Sequence, residues 1–257
     1  MNTPALIDTN VSLGHWPWMD FNSLTAEALE SRLERHGIVE AWVAATESIL
    51  FPDPDVPDAR LVEALKRTTR LVPVKTINPL LGNWRESLTQ AIGPLGMRLV
   101  KILPSYHQYS VCDAVALELA SVLARAGIPL LIAVRVEDER NQYPLMKVPA
   151  VAVDGIVRLA ASQPGLRVLA LGATAGEIST LTSGTPNISC DLSFAETGNV
   201  MEELLASTSA SRLVFGSHTP FFYTRAAVRK LTGAPLEDAV KRSIAHDNAR
   251  ALIGPRA

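Results

Sequence analysis

Eight short runs rich in Leu, Ile and Val recur along this chain, and a helical pattern separates each run from the next. Strands that alternate with helices in this way pair in parallel, because each helix carries the chain back to the same edge of the sheet. Eight such units predict an α/β protein with one closed (β/α)8 TIM barrel. The predicted strands are Leu6–Leu13, Glu40–Thr46, Leu71–Asn78, Met97–Leu103, Pro129–Val136, Arg167–Gly172, Ile188–Leu192 and Arg212–Ser217.

The helical patterns complete this plan. The first helix is predicted from Thr25 to His36 and stops at Gly37, and the helix after strand eight is predicted to begin near Pro220. A further helix, Leu236–Leu252, follows the eighth unit. The length of 257 residues matches the roughly 250 of one barrel, and no linker interrupts the chain. We therefore expect a single domain over residues 1–257, with an extra C-terminal helix.

Composition narrows the range of partners and compartments. A net charge of -2 and a pI near 6.2 give no general attraction for nucleic acid or membrane surfaces. Cys112 and Cys190 stand outside any C-x-x-C spacing, which fits a reducing compartment. No signal peptide or membrane-length apolar run is visible, so we expect a cytoplasmic protein. Loop aromatics such as Phe51 are compatible with a homodimer.

Candidate functional residues follow from the fold, since TIM barrels carry reactive groups at the C-terminal strand ends and in the loops that follow. The catalytic candidates are Asp8, Asn10, Lys101 and His218. Residues at the same end that are expected to bind a small-molecule substrate are Ser12, His15, Trp16, Tyr106, His107, Arg135, Asp191 and Phe221.

Several of these segments resemble motifs of the metal-dependent amidohydrolases, in the amidohydrolase-2 or decarboxylase-like branch. Ile7–Ser12 stands where that family writes I-D-x-H-x-H, and Phe215–Pro220 reads F-G-S-H-T-P against F-G-S-D-x-P. Arg98–Pro104 at strand four and Asn248–Leu252, against N-A-x-x-L, also match. The resemblance covers nearly the whole chain. It implies the barrel fold, and hydrolysis or non-oxidative decarboxylation around a divalent metal.

The departures from the family pattern fall on its metal ligands. Asn10 and Ser12 replace the strand-one histidines, and His218 aligns with the strand-eight aspartate. Strand five, at Ile132–Arg135, and strand six, at Leu169–Gly172, also lack histidine. Amide and hydroxyl groups cannot replace imidazole as zinc ligands. We therefore expect the family's zinc or other divalent metal to be lost, with no metal ligands and no cofactor.

The catalytic candidates each have a structural alternative. His218 is either a general base or a hydrogen-bonded structural histidine. Lys101 is either a buried amine suited to Schiff-base chemistry or one half of an ion pair. Asp8 either acts directly or holds the barrel mouth together by accepting backbone N–H groups. Asn10 and Ser12 bind a ligand or satisfy each other.

The expected substrate-binding groups also have two interpretations. Arg135 either clamps a substrate carboxylate or belongs to an ion-pair network with Glu137, Asp138 and Arg140. The aromatic residues near the mouth either line a pocket or pack in the core.

The sequence favours a hydrolase of the amidohydrolase type that acts on a small, carboxylated molecule without the usual metal cluster. In this hypothesis His218 is the base, and Asp8 or Asn10 orients the substrate or a water molecule. The alternative is an inactive barrel that binds a metabolite or a partner protein. Decarboxylation and Schiff-base lyase chemistry on Lys101 are less favoured.

Overall fold

The computed structural model describes residues 4–21 and 24–254. Its strands are β1 (Leu6–Leu13), β2 (Ile38–Ala45), β3 (Leu71–Pro73), β4 (Lys75–Thr76), β5 (Val100–Ile102), β6 (Leu130–Ala133), β7 (Val168–Leu171), β8 (Ile188–Asp191) and β9 (Leu213–Val214). Its α-helices are α1 (Ala26–Glu34), α2 (Asp55–Leu65), α3 (Trp84–Ile92), α4 (Ala114–Ala126), α5 (Val153–Ser162), α6 (Ala175–Thr182), α7 (Val200–Ser207), α8 (Thr224–Thr232), α9 (Asp238–Arg242) and α10 (Asn248–Ile253).

The strands form a parallel barrel with eight strand positions. β3 and β4 are two parts of the predicted third strand. The N–H of Val74 donates to the carbonyl of Val43 on the β2 side, whereas the N–H of Lys75 donates to the carbonyl of Leu99 on the β5 side. The barrel closes where the N–H of Thr9 donates to the carbonyl of Phe215, at 3.0 Å. The (β/α)8 fold predicted from the sequence is therefore confirmed.

Alternation along the strands separates two apolar layers. Inside the barrel, Ile7, Leu99, Leu131 and Leu169 pack together from different strands. The strand residues that alternate with them, such as Val100 and Ile102, point outward and belong to the larger core between the barrel and its helices. Since Lys101 lies two residues beyond Leu99, its side chain points to the barrel interior, near the C-terminal end.

Strand eight differs from its sequence prediction. Regular pairing in β9 ends at Val214, and His218 has a left-handed φ of +57°. The peptide bond between Thr219 and Pro220 is cis. The chain thus turns before the next helix, which begins at Thr224 and not near Pro220.

The predicted C-terminal helix is present as α9, a π-helical turn at Ser243–Asp247, and α10. The side-chain amide of Asn248 donates to the carbonyls of Ala210 and Leu213, each at 2.8 Å. The N-A-x-x-L segment therefore anchors the last helix to the eighth strand position. Within the described residues, no helix has both the length and the apolar character needed to cross a bilayer.

Candidate active site

Asp8 lies at the seam where the barrel closes. Its Oδ1 accepts the N–H of Ser217 at 2.9 Å and the N–H of Asn10 at 3.2 Å. Its Oδ2 is buried and has no hydrogen-bond partner within residues 4–21 and 24–254. Burial raises the pKa of Asp8 to about 7, because desolvation penalises the ionised form. Asp8 can therefore hold or release a proton near neutral pH.

Asn10 connects β1 to Asp191 at the end of β8. Its Nδ2 donates to Asp191 Oδ2 at 2.8 Å, and Asp191 Oδ1 accepts the N–H of Gly172 at 2.7 Å. A Cβ atom at Gly216 would lie 2.5 Å from Asp191 Oδ2, so the carboxylate needs glycine there. Burial raises the pKa of Asp191. Both carboxylate oxygens are thus held by the protein itself.

His218 is buried at the same end of the barrel. Its Nε2 lies 2.5 Å from the carbonyl of Val136, and because a carbonyl only accepts, Nε2 carries the proton. The ring stacks on Phe221 and also contacts Phe194. Burial lowers the pKa of His218 to about 4, so the imidazole is neutral at pH 7. The lone pair on Nδ1 has no partner among the described residues.

Lys101 is only 5% exposed and forms no hydrogen bond or ion pair with the part of the chain that the structure describes. Burial lowers its pKa to about 8, although the negative charge of Asp191 acts in the opposite direction. Thr76 is paired with Lys101 across β4 and β5. Thr76, and Thr46 after β2, were not among the site residues predicted from the sequence. Their position as polar residues at the C-terminal ends of apolar strands could have identified them.

Aromatic side chains cluster at the same end of the barrel, where Phe221 stacks on His218. Trp16 and Phe221 pack edge to face, with ring centroids 5.4 Å apart, and Tyr106 contacts the same indole. Leu103 and Val136 complete the apolar cluster from the barrel side. The N–H of the Trp16 indole donates to Glu137 at 3.1 Å. Trp16, Tyr106 and Phe221 therefore form one cluster, which is called the aromatic cover below. The polar groups at this end of the barrel, Asp8, Asn10, Lys101, Asp191 and His218, are together called the chamber.

Three other predicted substrate-binding residues are exposed, hydrogen-bonded or buried within a strand. His15 is exposed, and His107 donates from Nε2 to the carbonyl of Ser48 at 3.0 Å. Ser12 is buried within β1, where its N–H donates to Thr219.

Arg135 makes a two-point ion pair with Glu177, at 2.6 and 2.7 Å. Its guanidinium fork is therefore occupied, which corrects the interpretation that it clamps a substrate. The predicted ion-pair network of Arg135 with Glu137, Asp138 and Arg140 is also corrected. Of these four residues, Asp138 and Arg140 form an ion pair with each other, whereas Arg135 pairs with Glu177.

A wide groove of about 1540 Å³ lies at the opposite end of the barrel. Its lining includes Leu71, Met97, Ile128 and Arg167, which precede or begin their strands. In barrels of this kind the N-terminal strand ends serve stability, whereas the C-terminal ends carry the chemistry. We therefore place the candidate active site in the chamber and not in the groove.

No family profile and no curated protein matches this chain. It is similar in structure to a dihydroxybenzoic acid decarboxylase from Polaromonas sp. JS666 with bound manganese and the inhibitor 2-nitroresorcinol (TM-score 0.75, 13% identity, 97% of each chain covered). It is also similar to the D314N mutant of 5-carboxyvanillate decarboxylase from Novosphingobium aromaticivorans with bound manganese (0.73, 13%, 97% of each). An amidohydrolase II structure has a TM-score of 0.71 at 13% identity, over 96% of this chain and 99% of that chain. At these identities the comparisons confirm the barrel fold.

The expectation that the divalent metal is lost is contradicted by two of these structures, which hold manganese. These two neighbours, which share the barrel fold of this chain, therefore bind a divalent metal. Within the described residues, however, no group of three or more His, Cys, Asp or Glu side chains is arranged to hold an ion. Asp8 Oδ2 and His218 Nδ1 are buried potential metal ligands that have no hydrogen-bond partner among the described residues, but two ligands do not complete such a site.

Proposed function

We propose that this chain is an enzyme that removes the carboxyl group from a small aromatic carboxylic acid by non-oxidative decarboxylation. The observation that carries the proposal is Asp8, a buried acid with one unpaired oxygen and a pKa of about 7. Such a group can hold a proton at neutral pH and deliver it inside a site closed to water. The decarboxylases of this fold support the choice of substrate class.

In the proposed reaction, Asp8 transfers its proton to the ring carbon that bears the carboxylate. The carbon–carbon bond to the carboxylate then breaks, its electron pair restores the aromatic ring, and CO2 leaves. The aromatic cover formed by Trp16 and Phe221 would pack on the ring and keep water away. Asn10 would keep Asp191 in place and would not react itself. Asp8 regains its proton from solvent when the product leaves.

Hydrolysis, the reaction favoured by the sequence, is the second candidate. The observation in its favour is the free lone pair on His218 Nδ1, which can accept a proton from a water molecule. The pKa of about 4 makes this imidazole a weak base, so Asp8 is the better matched group near neutral pH. For hydrolysis, water would also have to enter beneath the aromatic cover.

A homodimer remains a prediction. The loop residue Phe51, on which it rests, is 40% exposed.

The test is an assay for CO2 release from hydroxylated benzoates, beginning with 2,6-dihydroxybenzoate, with and without added Mn²⁺. In D2O the product should carry deuterium at the carbon that lost the carboxylate. Asp8→Asn keeps the size of the side chain but removes the acid, so it should abolish release. Equal CO2 release by wild type and Asp8→Asn would refute the role of Asp8. Hydrolysis of esters, amides or lactones without CO2 release would favour the second candidate.

A further inference from the structure

We propose that Lys101, Thr76 and Thr46 form the subsite that binds the substrate's carboxylate group. This inference rests on the proposed function, because it assigns the part of the chamber that recognises a carboxylic acid. It concerns binding, however, and it can be tested without turnover.

The three residues come from neighbouring strand positions. Thr76 and Lys101 are directly paired across β4 and β5, so their side chains emerge on the same face. On the neighbouring strand position, Ala44 and Val74 both belong to the apolar cluster inside the barrel, and Thr46 and Thr76 each follow one of them by two residues, which places them toward the same interior. Two hydroxyl groups and one ammonium group therefore follow each other around the interior of the barrel.

These groups lack the partners that buried donors normally have. The hydroxyls of Thr46 and Thr76 are buried and make no hydrogen bond in the described part of the chain. Leaving a buried polar group unpaired costs about 1–3 kcal/mol, and native proteins rarely do so without a reason. Lys101 adds an ammonium group with three N–H donors and no acceptor capacity. Three adjacent donors without an acceptor favour an anionic ligand.

Asp191 does not act as the anionic partner of these three groups. Its negative charge acts on Lys101 more strongly than that of Asp58 does, yet its two oxygens accept hydrogen bonds from Gly172 and Asn10. It also forms no ion pair with Lys101 among the described residues. The ammonium group is therefore left available for a ligand. A planar carboxylate has two oxygens, enough to accept from the ammonium and from both hydroxyls.

The experiment measures the affinity of the purified protein for benzoate and for benzamide, by calorimetry or ligand-observed NMR. These probes have nearly the same shape, but only benzoate carries the charge. Wild type should bind benzoate at millimolar concentration or below and prefer it to benzamide at least about tenfold. Thr76→Val and Thr46→Val should each weaken benzoate about tenfold, with little effect on benzamide. Lys101→Met should abolish the preference.

Conservative variants serve as controls. Thr76→Ser keeps the hydroxyl and should keep the affinity for benzoate, whereas a loss caused by packing alone would affect serine and valine alike. Lys241→Met removes a cation that donates to Thr232 near the C-terminal helix and should leave binding unchanged. Equal binding of the two probes by wild type, or no saturable binding of benzoate, would overturn the inference. If benzoate binding depends on Lys101 but the protein releases no CO2 from hydroxylated benzoates, the carboxylate subsite is supported and the proposed reaction is refuted.

Discussion

The carboxylate of Asp8 accepts the backbone N–H of Ser217 at 2.9 Å, and this hydrogen bond connects the first strand of the barrel to the segment after the last. The contact that helps close the barrel therefore also orients the acid. With Oδ1 occupied by two N–H groups, Oδ2 is the oxygen left to carry a proton. Activity and barrel closure are consequently linked at one side chain.

The first prediction concerns the pH dependence of stability. The pKa of Asp8 rises from 3.8 to about 7 on folding, so between these values the folded state binds the proton that the unfolded state has released. Wild type should therefore lose stability as pH rises from about 4 to about 7, by about 4 kcal/mol from this group alone. Asp8→Asn removes the contribution. Its free energy of unfolding relative to wild type should increase between pH 5 and pH 8.

Urea denaturation of both proteins at the two pH values measures this difference. The comparison isolates Asp8, because His218 and Asp191 titrate in both proteins. A constant difference between wild type and Asp8→Asn would mean that Asp8 is ionised throughout, and its proposed role as an acid would then fail.

The second prediction concerns the protonation state of His218. Burial lowers its pKa to about 4, and the carbonyl of Val136 holds the proton on Nε2. Long-range nitrogen–proton NMR should show a neutral ring with an unprotonated Nδ1 from pH 8 down to about pH 5. Titration of His218 near pH 6.5 would contradict the buried environment and would make the imidazole a better base than proposed.

The barrel was predictable because strand and helix periodicities repeat over the whole chain. The start of the first helix, predicted at Thr25, was also right: Thr25 is its N-cap, and capping is a local property. The break in strand three at Val74 was not, because it depends on which neighbour each N–H meets.

The candidate site was predictable in position but not in pairing. The sequence placed Asp8, Asn10 and Asp191 at one end of the barrel, but the hydrogen bond from Asn10 to Asp191 joins residues 181 positions apart. Arg135 was grouped with its sequence neighbours, whereas its partner Glu177 lies 42 positions away. Contacts between distant strands depend on barrel register, which residue spacing along one strand does not specify.

The third prediction separates a structural role from substrate binding at Arg135. Its guanidinium binds Glu177, whose carboxylate also accepts the N–H of Thr174 at the start of α6. Arg135→Met should therefore destabilise the fold by about 1–3 kcal/mol without changing the affinity for benzoate. Glu177→Gln should cause a smaller loss. A double-mutant cycle on urea unfolding measures the coupling, and a selective loss of benzoate affinity in Arg135→Met would restore the carboxylate-clamp interpretation.

The fourth prediction tests whether the position of Asp191 controls the chamber. In Gly216→Ala the new methyl group would lie 2.5 Å from Asp191 Oδ2, so the carboxylate must move and its bond from Asn10 must weaken. We expect a loss of about 1–3 kcal/mol in stability together with a large fall in CO2 release. Gly165→Ala is the matched control, because a methyl group there meets no atom within 4 Å. If both variants kept full stability and activity, Asp191 would not need its observed position, since the chamber would tolerate its displacement.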